Sequence, residues 1–361
     1  MKISELLSAI ERFAPLGLAL SWDNVGLLLG EGDWDVTKVL VTLDVTPNVV
    51  EKAIKSGCQL ILSHHPLIFR PLKSITDPLL IKLLQHQIAV ISLHTNLDVA
   101  HTSVNHLLAK QLKMNVLDTL SAETGGKHYH ITVSSPVHAA QKICAAAWNA
   151  GAGKIGNYAN CAKSYLVQGH FSAESGAKPY LKHSEGAWAE ETALQFSCDS
   201  FCLPQVLAAI RKAHPYETPA LDHYVVENPN PAYGLGLICA YDTDHSLHDI
   251  AEMVRTRLNC KQLKLWIAGK KQDTLIKRIA LCGGSGASVL AAATAKAELF
   301  ISGDISYHSF LESRIPIIDA GHFYTEYPVL NFLDAKMQEL KLDSEIMPMA
   351  EHEYAQGMLI L

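Results

Sequence analysis

No two of the eight cysteines form a C-x-x-C pair. That absence argues against a structural zinc ribbon, and a disulfide framework is equally unexpected. Several of the cysteines lie inside apolar runs, where a thiol behaves as a small core hydrophobe. Nowhere are there eighteen consecutive apolar residues, so no transmembrane helix is expected. There is no basic excess either. The formal net charge is −6 and the isoelectric point near 6.3, which argues against a general nucleic-acid or acidic-membrane surface and leaves room only for a local basic patch. Charged residues make up 18% and hydrophobic residues 48%, which excludes a disordered chain. The opening Met1-Lys2-Ile3-Ser4-Glu5 starts an amphipathic helix, not a signal peptide, and a cytoplasmic location is expected. The length, 361 residues, allows two or three domains.

What is there centres on Ser63-His64-His65-Pro66. It ends the apolar run Cys58 to Leu62, too short for a helix and read as a buried strand. Pro66 prevents simple continuation of a central strand. Ligands of α/β sheets bind at the carboxyl ends of strands, and imidazole is the commonest metal ligand. Neighbouring strand residues point to opposite faces, so both rings share one site only if the chain turns here or two metals lie side by side.

Before this stretch, residues 3–13 carry apolar side chains at helical spacing, closed by Pro15 and Gly17. Ser21 to Leu27 then reads as a turn with a packed Trp22, its backbone fixed by Asp23 and Asn24. A strand at 38–44, a helix at 47–56 and the His-His strand make a β-α-β unit with parallel pairing. A helix over 78–87 leads to a strand at 88–93, which ends in His94-Thr95-Asn96-Leu97-Asp98. Asp98 reads equally well as the cap of a helix over 104–112.

A polar break at 121–127 marks a domain boundary. Beyond it the pattern is strand 130–133, helix 139–150, strands 164–167 and 192–196, helix 205–213 and strand 221–226. That β-α-β-β-α-β order predicts a ferredoxin-like module, closed by Asn228-Pro229-Asn230-Pro231. His214-Pro215-Tyr216-Glu217-Thr218-Pro219 reads as a rigid connection, with His214 charged at a helix C-terminus.

From Gly234 the α/β style returns. A helix is expected over 250–258 and a strand over 276–281, followed by the glycine-rich Cys282 to Ser288. Such a turn either cradles an anion on backbone N–H groups or allows tight strand–helix packing. Strands at 299–302 and 315–320 end in Asp304/His308 and His322/Glu326. Each pair is spaced four apart, and on a helix each would share one face. Four strands therefore end in ligand-type side chains.

Taken together, Trp22-Asp23-Asn24-Val25-Gly26-Leu27, Ser63-His64-His65-Pro66, Cys282-Gly283-Gly284-Ser285-Gly286 and Gly321-His322 with Glu326 resemble the Nif-three-like family of dinuclear metal proteins. Its members are commonly named GTP cyclohydrolase 1 type 2 homologues. The resemblance covers nearly the whole chain. It implies a discontinuous α/β domain built from residues 1–126 and 231–361, interrupted at 127–230 by a PII/CutA-like, ferredoxin-like α+β insert. It further implies a toroidal homohexamer and two divalent metal ions per chain, held by His64, His65, Asp98, His322 and Glu326. His94, Asp304 and His308 are then supporting or catalytic candidates, with Asp304 or His308 as proton carrier.

Five side chains cannot fill two four-coordinate shells unless a carboxylate bridges, so water completes them, as in catalytic sites. Mixed His and carboxylate ligation suits Zn, Fe, Mn, Co or Ni. Two readings follow. One is a metal-dependent hydrolase that turns an activated water on a nucleotide or phosphoester. The other is a non-enzymatic hexameric assembly that handles metal or senses a small ligand. An interaction protein with a vestigial metal is a third.

Overall fold

The apolar runs Lys38–Thr42, Leu60–Ser63 and Ala89–Ser92 lie side by side as parallel strands, joined by the helices Pro47–Ser56 and Pro78–Gln85. Pro47 opens the first helix with its φ already set, and Gly57 closes it in the left-handed region at φ 69°. Leu40, Ile61 and Val90 are buried against Val50, Ala53 and Leu83 from the two helices. Each such side chain contributes about 1.5–3 kcal/mol by leaving water. Across its width the sheet runs Gly26–Leu29, Ala89–Ser92, Leu60–Ser63, Lys38–Thr42 and Asp343–Ile346, with only Gly26–Leu29 antiparallel to its neighbour.

This computed structural model describes residues 1–122, 126–156, 158–180, 187–227, 230, 232–352, 354 and 357. The chain divides into two compact units. Met1–Gly125 with Pro231–Leu361 form one, and Gly126–Asn230 the other.

The first unit holds a second, six-stranded sheet. Its parallel centre is Ile279–Ser285, Leu299–Gly303 and Ile317–Asp319. Lys264–Trp266 adds to one side antiparallel, and Leu235–Ala240 and Asn115–Ser121 to the other. The single strand expected over 276–281 is broken. Leu275–Ile276 pairs with His245–Ser246, and a new strand starts at Ile279. The break has a cause, because the N–H groups of Lys277 and Arg278 donate to the Glu298 carboxylate, not to a neighbouring strand.

In the second unit four antiparallel strands lie in the order Lys163–Phe171, Ala187–Asp199, His128–Pro136 and Leu221–Val226. The helices Ala140–Asn149 and Leu203–Ala213 pack on Ile131, Val133, Leu194 and Phe196 through Ile143 and Ile210. The expected break at 121–127 falls partly, and that at 228–231 mostly, on positions outside the described residues.

His214 corrects the expectation of a charged imidazole at a helix end. It is buried, its Nδ1 accepts the Tyr216 N–H at 3.0 Å, and its Nε2 donates to the Ser134 carbonyl at 2.9 Å. Those roles require the neutral ring. Burial pushes its pKa below the ordinary value, against the opposing pull of the Ser134 bond. The unfolded chain therefore takes up this proton first as pH falls, so stability is intact above about pH 6.5 and declines below it. Thermal midpoints measured from pH 8 to pH 5 are expected to fall more steeply in the wild type than in His214→Gln. Equal slopes would refute this.

Among the described residues no helix is long and apolar enough to cross a membrane. All eight cysteines are free, and six of them are buried, as their apolar settings suggested.

Candidate metal centre

The His-His strand stops where its backbone stays paired while its side chains turn inward. The N–H groups of His64 and His65 donate to the carbonyls of Thr42 and Leu43 at 3.1 and 2.9 Å. The two rings end 5.1 Å apart, on one site. His64 is fully buried. Its Nδ1 lies 2.7 Å from the Leu93 carbonyl, which can only accept, so Nδ1 carries a proton and Nε2 is the nitrogen left to take a metal once its own proton is displaced. Burial lowers the pKa of this ring, but the Glu326 and Asp98 carboxylates outweigh it and hold it above the ordinary value. That Nε2 has no hydrogen-bond partner among the described residues. It faces Asp98 Oδ1 at 3.6 Å and Glu326 Oε1 at 3.7 Å.

His322 and Glu326 open and close a single helical turn, entered through Gly321 at φ 83°. The four-residue spacing puts both on one face, as expected. Glu326 Oε2 lies 2.9 Å from His65 Nε2 and 3.0 Å from His322 Nε2. One carboxylate thus faces two sets of donors: Oε1 meets His64, and Oε2 meets His65 and His322. The ligand atoms of His64, His65 and Glu326 all lie within 4.8 Å of one another.

Asp98 belongs to the short helix Thr95–Asp98 and faces His64. The cap of the following helix is Ser103, whose hydroxyl accepts the His106 N–H. The capping reading of Asp98 therefore fails.

The glycine-rich stretch also resolves. The strand Ile279–Ser285 continues through Gly283 and Gly284, with a bulge in its pairing to Leu299–Gly303 between Leu281 and Ser285. Their N–H groups are already taken, by Asn105 Oδ1 at 2.8 Å and Thr325 Oγ1 at 2.9 Å, so they do not cradle an anion. A Cβ on Gly284 would sit 2.1 Å from Glu326 Oε1, and the residue has φ 64°. Close approach of the Glu326 carboxylate is what demands glycine here.

The pair Asp304/His308 does not share a helical face. Asp304 precedes the helix Tyr307–Glu312 in a left-handed conformation, φ 54°, and its Oδ2 lies 2.7 Å from His322 Nδ1. His308 is exposed on that helix, against the ring of Tyr307.

Two carboxylates that support the cluster were not singled out as site residues from the sequence. Asp44, just past the strand Lys38–Thr42, holds His65 Nδ1 at 2.7 Å. Its position at a strand end, like that of His64 and His94, was the available signal. The side chain of Asp23 is shielded from solvent, and it holds His94 Nδ1 at 2.9 Å and the Thr95 N–H at 3.0 Å. It also accepts from the Thr95 hydroxyl. Burial raises its pKa, but these bonds from His94 and Thr95 outweigh it and hold the carboxyl at about 2. Trp22, expected to be packed, is 54% exposed, with its ring 6.0 Å from His94 and 5.8 Å from Phe69.

The electrostatics of the cluster call for positive charge. Burial alone would depress the imidazoles. Bonds to Asp44 and Glu326 instead push His65 up to about 11, and Glu326 carries His322 to about 9. The surrounding imidazoles hold the Glu326 carboxyl well below its usual range against its own burial. Burial raises Asp98, with His64 opposing. A buried imidazole nitrogen with no hydrogen-bond partner among the described residues, beside carboxylates that favour positive charge on all three imidazoles, is the donor set a divalent cation fits.

A family model for Duf34/NIF3 (NGG1p interacting factor 3) matches residues 1–353. The chain belongs to the Duf34/NIF3 family. A relative from Halalkalibacterium halodurans, named GTP cyclohydrolase 1 type 2 homolog, is 32% identical over 98% of both chains. One of the same name from Staphylococcus epidermidis is 34% identical over 91% of this chain and 90% of its own. The solved structure of a Bacillus cereus protein related to NIF3 superposes with a TM-score of 0.81 at 31% identity, over 96% of both chains. A Staphylococcus aureus structure gives 0.72 at 28% identity, over 97% of both. The Duf34/NIF3 fold is therefore the frame on which these strand ends converge.

Proposed function

We propose that this Duf34/NIF3 chain is a metal-dependent hydrolase acting on a nucleotide or phosphoester. The observation that carries the reading is the buried, partnerless Nε2 of His64, aimed at Asp98 and Glu326. In this reading two divalent ions, of Zn, Fe, Mn, Co or Ni, are held by His64, His65, Asp98, His322 and Glu326. Bound there, they would supply an activated water and Lewis-acid polarisation of the substrate.

The chain's own groups do the rest. The Leu93 carbonyl fixes the tautomer of His64; Asp44 and Asp304 orient His65 and His322 through their Nδ1 atoms. Glu326 spans both donor sets with its two oxygens. His94 is held by Asp23, and its ring lies 5.5 Å from His64 and 5.7 Å from His65. That leaves its other nitrogen to carry a proton between substrate and solvent. Of the carriers expected from the sequence, Asp304 acts in this reading by orienting His322. His308 has no bond to the cluster among the described residues, so the carrier role goes to His94.

The reading includes assembly into a toroidal homohexamer in the cytoplasm, as the family resemblance implies. It takes residues 127–230 as a ferredoxin-like, PII/CutA-like insert in a domain built from 1–126 and 231–361. The strand order of the second unit supports that part.

The test is turnover on a panel of nucleotides and phosphoesters, GTP included, by wild type and His94→Gln. His94→Gln is expected to keep its metal and lose roughly 100-fold in turnover. Wild-type turnover in that variant would remove His94 from the carrier role. Bound metal with no turnover across the panel would favour the metal-handling or ligand-sensing assembly instead.

A further inference from the structure

A cleft of about 540 Å³ lies between the end of the helix Val104–Gln111, the end of the helix Leu247–Arg257 and the helix Val329–Glu339. Lys110, Lys113 and Arg257 line it, with the amides of Gln111 and Asn331 between them and the ring of Phe332 as an apolar wall. No carboxylate is among its lining residues. Among the described residues none of the three cations pairs with an Asp or Glu: Arg257 donates to the Leu112 carbonyl and stands over the Tyr241 ring, and neither lysine forms an ion pair. The neighbouring Lys336, in contrast, is paired with Glu339.

Three cations without counter-charge on one concave wall stand out in a chain of net charge −6. The ends of two helices ease their mutual repulsion, because the carbonyls there favour cations. That explains their tolerance, and it leaves the Lys110 and Lys113 ammonium groups without an ion-pair partner among the described residues. The volume suits one small ligand. The Gln111 Nε2 is already held by the Arg257 carbonyl at 2.8 Å, which leaves its Oε1 and the Asn331 amide to read polar edges, and Phe332 can cover an apolar or ring-bearing part. A polymer of phosphates would meet the chain's overall negative charge, whereas a compact ligand meets the local positive patch alone. A second, smaller cleft of about 180 Å³ shares Gln111, Arg257 and Asn331 and reaches Tyr327, the residue after Glu326.

We propose that this cleft binds a phosphorylated small molecule of mononucleotide size, at a site separate from the metal centre. The cations take the phosphates, and the amides and Phe332 take the remainder.

The test is calorimetric titration of the full chain with ADP, pyrophosphate and adenosine. Four proteins are compared: wild type, Lys110→Glu, the double variant Lys110→Glu/Lys113→Glu, and Glu326→Gln, which disables the metal centre. Both lysines are exposed, so the charge reversals leave the core intact. ADP and pyrophosphate are expected to bind wild type and Glu326→Gln alike, to weaken at higher salt, and to lose roughly tenfold or more in affinity in the double variant, with Lys110→Glu between. Adenosine is expected to bind far more weakly. Binding lost in Glu326→Gln but kept in the double variant would place the phosphate at the metal centre and overturn the proposal. Absence of binding at millimolar ADP, or binding of oligonucleotides alone, would overturn it too.

Discussion

Glu326→Gln is expected to cost more than about 100-fold in metal affinity, beyond the 10–100-fold typical of losing a bond that merely supports a ligand. Glu326 is the side chain that all three imidazoles of the candidate centre approach, His64 on one oxygen and His65 and His322 on the other. Glutamine keeps the shape but replaces one oxygen with an amide that donates, so one donor set loses its partner. One of the charges that hold protons on His65 and His322 also disappears, so both pKa values are expected to fall, that of His65 less because its bond to Asp44 remains. Elemental analysis beside circular dichroism checks this. The expected result is a folded chain with metal lost, and wild-type metal content would refute the bridging role.

Gly284→Ala is expected to do nearly the same without touching a ligand. Its Cβ would lie 2.1 Å from Glu326 Oε1 and 3.2 Å from His322 Nε2, so the carboxylate must leave its place. The left-handed backbone adds about 1–2 kcal/mol of strain for any residue with a Cβ. Metal content is expected to fall by at least half and the thermal midpoint by several degrees, about 2–4 °C per kcal/mol for a chain of this size. A variant that keeps its full metal complement would show that the glycine is there for strand packing alone.

Much of this centre is legible in the chain because its parts are local. Apolar runs ending in His64-His65, in His94 and Asp98, and in His322 with Glu326 can each be read from a few residues. The helical turn that unites His322 and Glu326 follows from spacing. Asp23 carries no such signature, and Asp44 only its place at a strand end. Each acts on a histidine distant in sequence, which only the parallel strand order and the turn at 21–24 bring within 3 Å. Asp304 misled for a related reason: four residues from His308 suggested a helical face, yet its left-handed backbone turns it toward His322 instead. The strands at Asn115–Ser121, Lys264–Trp266 and Asp343–Ile346 were missed because each is short or largely exposed, with little apolar alternation to mark it. The turn at 21–27 suggests a packed Trp22, whereas the ring stands open beside His94 and Phe69.

The centre itself is tested most directly by metal content per chain, measured on protein purified without a histidine tag and offered Zn, Fe, Mn, Co and Ni in turn. About two divalent ions per folded chain are expected with at least one of these metals, and their loss in Glu326→Gln. A folded chain that takes up none of the five, or a Glu326→Gln variant that holds as much metal as the wild type, would contradict this expectation.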